Sequence, residues 1–167
     1  MKQRGFTVVE LIITITIMGI LLILTIVNIN GNQVASRDNE RTADIATIQT
    51  WMENFYSAGS PVNGIPGNYP AVQVTTPTNF QPNIPDADPK TFTAPGASNN
   101  FTSFIQATNS VQTTTGVAPQ PTISQYVYQP IDSTGAICSN GLDCRKYNIY
   151  YRLEKDNTVY MVMSKNQ

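Results

Sequence analysis

Three groups of residues in this chain have types and spacings that can do chemistry. Glu10 is the one charged residue among the 24 from Phe6 to Ile29. A carboxylate inside so apolar a run costs on the order of 2–3 kcal/mol in a bilayer, and such groups are usually paired and functional. Its chemistry is ionic, because a carboxylate in hydrocarbon selects a cation. Cys138 and Cys144, the two cysteines of the chain, have five residues between them, close enough to join as a disulfide in an oxidising compartment. Asp86 and Asp88 flank Ala87 just before Pro89, a pattern that suits a calcium loop, since hard cations prefer oxygen, and equally suits turn formation. The chain contains no histidine, which removes the commonest general base and the commonest metal ligand. Zinc would therefore lack a full ligand set, and a nucleophilic cysteine would lack its base. A free or intermolecular thiol is the alternative to the bridge. The chain is read as a non-enzyme without a cofactor, calcium being the one weak candidate.

The elements that must position these groups follow from periodicity. A helix over the 24 residues from Phe6 would be roughly 36 Å long, enough to cross a bilayer. Lys2 and Arg4 precede it, which orients the N-terminus to the cytoplasm. A secretory signal peptide would have an apolar core of about 7–15 residues ending at small residues. Here the run is longer, and Thr25-Ile26-Val27-Asn28 is no such site. A plain anchor accounts for the orientation and leaves Glu10 without a reason. No proline precedes Pro61, so a helix can continue to about Ser57, roughly 80 Å in all. Beyond the apolar run Ile45, Ile48, Met52 and Phe55 recur at helical spacing, with Arg37, Asp38, Glu40, Arg41, Asp44 and Glu53 as the polar side. That stripe should pack against a sheet. Gly19 and the cluster Asn28 to Asn32, which includes Gly31, are soft positions where a bend is expected.

The stretch Lys2-Gln3-Arg4-Gly5-Phe6-Thr7-Val8-Val9-Glu10-Leu11-Ile12 resembles the processing site of type IV prepilins and the related pseudopilins. A basic leader, a glycine, an aromatic residue, a carboxylate four residues on and an apolar helix all fall in register. The resemblance implies cleavage between Gly5 and Phe6 by a prepilin peptidase and methylation of the new Phe6 amine. Glu10 then keeps its place beside a cationic α-amine. Its own amine and that of a helix staggered by one turn are both within reach, and a register error leaves both charges unpaired. Glu10 is accordingly read as an assembly register device. Many members of the family carry a proline shortly before the Asn-rich cluster, where this chain has Val27 and Asn28. Asn68-Tyr69-Pro70 resembles the G-x-Y-P element that follows the long helix in many major pseudopilins, with Tyr69 as a packing anchor.

All 11 prolines fall between Pro61 and Pro130, and from Ser57 to Ile131 the charged residues are Asp86, Asp88 and Lys90. This region should be ordered loop pinned by Tyr69, Phe80, Phe92, Phe101 and Phe104, with a short helix near Asn100 to Thr108. Asn100-Phe101-Thr102 matches an N-glycosylation sequon. Lys146 to Glu154 alternates in polarity and predicts a half-buried strand, joined by a turn at Asp156-Asn157 to a second strand over Thr158 to Ser164. Ile123 to Ile131 predicts a third, with Asn140-Gly141 turning between the cysteines and all three pairing antiparallel.

The expected fold is α+β: a long N-terminal helix whose second half packs on a small C-terminal antiparallel sheet, as in the pilin fold. Its parts are a leader (1–5), a transmembrane or filament-core helix (6–29), an amphipathic helix (30–58), a Pro-, Thr- and Asn-rich loop region (59–122) and a sheet with a disulfide loop (123–167). Formal net charge is -1 with scattered basic residues, which argues against a nucleic-acid partner. The family implies a precursor in the cytoplasmic membrane that meets the prepilin peptidase and a pilus assembly platform, then forms a helical homopolymer at the cell surface. The leading expectation is the major pilin of a type IV pilus, serving adhesion, motility or DNA uptake. The alternatives are a type II secretion or competence pseudopilin and, from another class, a membrane-anchored adhesin or minor pilin.

Overall fold

The computed structural model describes residues 6–59, 65–71, 87–97, 104–139 and 143–166, and within these not the side chains of 27–30. The elements run α1 (Val8–Ala58), a 3-10 turn (Pro89–Phe92), β1 (Phe104–Gln106), β2 (Tyr126–Asp132), β3 (Cys144–Arg152) and β4 (Val159–Met163). Helical structure continues through Asn28 to Asn32. The chain divides into two units, Met1–Ser36 and Arg37–Gln167.

In the first unit every side chain from Phe6 to Ile26 is exposed. Its threonines satisfy themselves: Thr14, Thr16 and Thr25 donate to the carbonyls of Leu11, Ile12 and Leu21, a turn back along the helix. A hydroxyl bonded to its own helix needs no water, so it is compatible with an apolar medium.

In the second unit the expected stripe is in the core. Ile45, Ile48 and Met52 are buried and Phe55 packs on them, against Tyr69, Phe92, Phe104, Tyr126, Tyr128, Tyr147 and Ile149. The sheet order is β1-β2-β3-β4. β3 pairs antiparallel with β2 (Tyr128 opposite Ile149) and with β4 (Tyr150 opposite Met161), as the sequence leads one to expect. β1 is added parallel to β2, Phe104 lying opposite Tyr126, so the sheet is mixed. This strand stands where a short helix is expected; residues 100–103, with the sequon, lie outside the described residues. Phe104 packs edge-on against Phe92 and stacks on Tyr128, a cross-strand placement that a lone helical turn would not supply.

Two expectations about burial are corrected. β3 is not half-buried as its alternation predicts: Asn148 and Tyr150, on the face opposite Tyr147, Ile149 and Tyr151, are also inside. The segment from Ala107 to Pro121 covers the second face, burying Ala107 and Val117 against Val127 and Tyr150. Gln129 Nε2 donates to the carbonyls of Asn109 and Val111, while Gln129 Oε1 accepts from Asn148 and Tyr150. These polar groups are tolerable inside because each is partnered. Desolvation raises the Tyr150 hydroxyl to about 12. The second correction concerns Asp38 and Arg41, assigned to the polar side of α1 but buried, Arg41 to 1% exposure. The Arg41 guanidinium donates to Asp38, to the Ile123 carbonyl and to the Pro95 carbonyl. Asp38 accepts from the backbone amides of Glu154 and Lys155, and Arg37 forks onto Glu154 with bonds of 2.8 and 2.6 Å. The helix is thus tied to the β3–β4 turn by hydrogen bonds between charged groups and backbone amides. The Arg37 bond holds the Glu154 carboxyl below its usual range.

Cys138 and Cys144 form a disulfide, and both are buried in the main core. Before it, Asp132 accepts from the amides of Thr134 and Ala136 and from the Thr134 hydroxyl; within the loop it closes, Asp143 accepts from Ser133 and Arg145. The turn at Asn140-Gly141 lies outside the described residues. Tyr69 acts as an anchor: its amide bonds the Cys144 carbonyl, and its hydroxyl donates to Glu53.

Candidate functional site at the helix head

Thr7 precedes α1 and Glu10 lies in its first turn. The Thr7 amide and hydroxyl both donate to Glu10 Oε2, at 2.9 and 2.8 Å, and the Glu10 amide returns a 3.3 Å bond to the Thr7 hydroxyl. This is a capping box, the reciprocal bonding of a Thr at the cap with a Glu three residues on. It satisfies donors that the helix start would otherwise leave open, and an anion there also opposes the helix dipole favourably. The bare carboxylate of the sequence thus has a partner within its own chain. Thr7 was the residue sequence reasoning passed over, although Thr7-Val8-Val9-Glu10 is the written signature of such a box. Both residues are exposed, as is Phe6 at 84%.

Around this head, Val8, Leu11, Ile12, Ile15 and the following aliphatic residues present their side chains outward on every face of the helix. The segment is long and apolar enough to cross a membrane. A helix apolar all round is buried in a larger assembly or in a bilayer. The remaining sequence-predicted sites separate from it. Gly5 and Asp86 lie outside the described residues. Asp88 caps the 3-10 turn, its side chain accepting from the Lys90 amide. Among the described residues no group of three or more His, Cys, Asp or Glu side chains is placed to hold a metal ion.

A long N-terminal helix, apolar in its first part and packed by its second part on a small sheet, is a pilin-like α+β architecture. The resemblance to type IV pilins and pseudopilins is supported by two comparisons. Residues 1–26 match the prokaryotic N-terminal methylation motif. The chain is also similar to type II secretion system core protein G of Escherichia coli (strain K12), 32% identical over 54 residues, and to that of Dickeya chrysanthemi, 30% identical over 54 residues. Each alignment covers 32% of this chain and only 37% or 35% of the relative. The chain therefore spans little over a third of these relatives. No solved structure matches.

Proposed function

We propose that this chain is a structural filament subunit rather than a catalyst. It is made as a membrane precursor with its N-terminus in the cytoplasm, cut by a prepilin peptidase between Gly5 and Phe6 and methylated at the Phe6 amine. It then polymerises through its first helical segment into a surface filament, as the major pilin of a type IV pilus. The observation that carries this reading is the coincidence of the methylation motif over residues 1–26 with side chains exposed from Phe6 to Ile26. Before assembly Thr7 occupies Glu10. A neighbour's Phe6 amine is a charged donor and hence the stronger partner in low dielectric. The chain has no histidine, which leaves acid–base and nucleophilic catalysis without its usual residue.

Mass spectrometry of protein from sheared surface filaments tests the reading. The expected species begins at N-methylated Phe6 and lacks the two thiol hydrogens; an intact Met1 in the filament overturns it. A pseudopilin role is the second reading, favoured by the similarity to type II secretion system core protein G. Abundance separates the two: a major pilin dominates the sheared fraction, whereas a pseudopilin is absent from it and its deletion blocks secretion.

A further inference from the structure

Arg37, Arg41 and Arg145 each pair with a carboxylate; Arg152 is the described arginine that does not. It is nonetheless held in place. Its Nε donates to the Pro121 carbonyl at 2.9 Å, and Nη1 donates to the Asn157 carbonyl and side-chain oxygen at 2.7 and 3.1 Å. Asn157 can offer both oxygens because it sits in the left-handed region, with φ of 56°, a conformation asparagine tolerates better than most residues. Nη2 makes no hydrogen bond among the described residues. The guanidinium lines an open cleft of about 380 Å³ with Gln120, Pro121, Thr122, Ile123 and Asn157. Ile123 stands 43% exposed in its wall. A fixed guanidinium with a free edge beside an apolar wall is built for a carboxylate whose stem covers that wall.

The same unit holds the complementary group. Among the described carboxylates, Glu40 is the one that neither accepts a hydrogen bond nor pairs with a cation, and it is exposed. It stands one turn before Asp44, and the two repel: the Asp44 carboxyl is pushed up to about 6 by burial, with Glu40 and Asp88 adding to the rise and the Tyr126 hydroxyl and Lys90 offsetting part of it. A cation paired directly with Glu40 relieves that repulsion further.

We propose that the Arg152 cleft of one copy receives the Glu40 carboxylate of a neighbouring copy. The contact is heterologous, one patch meeting a different patch, and repetition of such a contact generates an open helical array instead of a closed dimer. The proposal rests on the filament reading above and adds a second charge contact, beside that of Glu10 with a neighbour's Phe6 amine, to an assembly driven by the apolar helix.

The experiment is a charge exchange in the full chain, reading filament yield in the sheared fraction. Arg152→Glu and Glu40→Lys should each lower the yield by ~10-fold or more through like-charge juxtaposition, and the double variant should restore it to near wild type. Arg152→Gln, which leaves no new charge, should lower it less. Disulfide formation and thermal melting of each variant in detergent show that the head is folded. Wild-type yield from a folded Arg152→Glu variant overturns the proposal. So does failure of the double variant to recover, or binding of free glucuronate at Arg152 with Glu40→Lys filaments unaffected. Absence of this protein from wild-type sheared filaments instead overturns the filament reading itself, which keeps the two failures distinct.

Discussion

The two units of the chain solve the same problem, a polar group next to apolar surface, by opposite means. In the apolar run of Met1–Ser36 the hydroxyls and the carboxylate are satisfied by their own helix: Thr7 with Glu10, and Thr14, Thr16 and Thr25 with carbonyls one turn back. In Arg37–Gln167 polar groups are satisfied across the fold, Arg41 drawing on α1, Pro95 and Ile123, and Glu53 on Tyr69, Tyr147, Lys165 and Asn166. A segment that changes solvent must carry its hydrogen bonds with it. A head that stays in water can lock its parts to each other.

This contrast can be broken most severely at Glu10. Glu10→Leu should leave membrane insertion and cleavage intact and cut sheared filament yield by ~10-fold or more, since the register pair is lost while the apolar surface is not. Normal yield would mean that the first unit assembles on apolar contact alone. The corresponding change in the head is Arg41→Met. It should cost about 3–5 kcal/mol in chemical denaturation, because Asp38 and two carbonyls lose a buried partner; a loss under about 1 kcal/mol would show that water replaces the guanidinium.

Replacing both Cys138 and Cys144 with serine should cost about 2 kcal/mol by loop entropy, read in the same denaturation assay. Filament formation should persist, as the bridge lies wholly within the head.

The smallest effect is expected at Asp44, half-buried and bonded by the Tyr126 hydroxyl at 3.2 Å. Burial, more than its neighbours, raises its carboxyl from 3.8 to about 6. The folded state therefore binds this proton more tightly than the unfolded state. Stability should fall as pH rises from about 4 through about 6 and level off above. Asp44→Asn should remove this slope and melt higher than wild type above pH 6. The gain should be on the order of 1 kcal/mol, reduced by the exposure of the site. Parallel pH profiles for the two proteins would refute the assignment.

Much of the fold was legible because it rests on local rules. The apolar run, the stripe Ile45, Ile48, Met52 and Phe55, and the alternation of β3 all follow from backbone periodicity, which acts over a few residues. The capping box was equally legible, in Thr7 and Glu10 at their fixed spacing, because both of its bonds are local. β1 was not legible: a strand as short as Phe104–Gln106 has too little periodicity to declare itself, and it exists because Phe92 and Tyr128 offer its side chain a place.

The sequence by itself determined that a helix of membrane length carries a carboxylate near its head, since length, apolarity and the position of Glu10 need no partner to be read. Tertiary structure alone decided that Asp38 and Arg41 go inside, that Ala107 to Pro121 hides the outer face of β3, and that Arg152 is left with a free edge. Burial of a charge depends on donors and acceptors that arrive from distant parts of the chain, Ile123 and Pro95 in the case of Arg41. No local pattern encodes where those carbonyls will be.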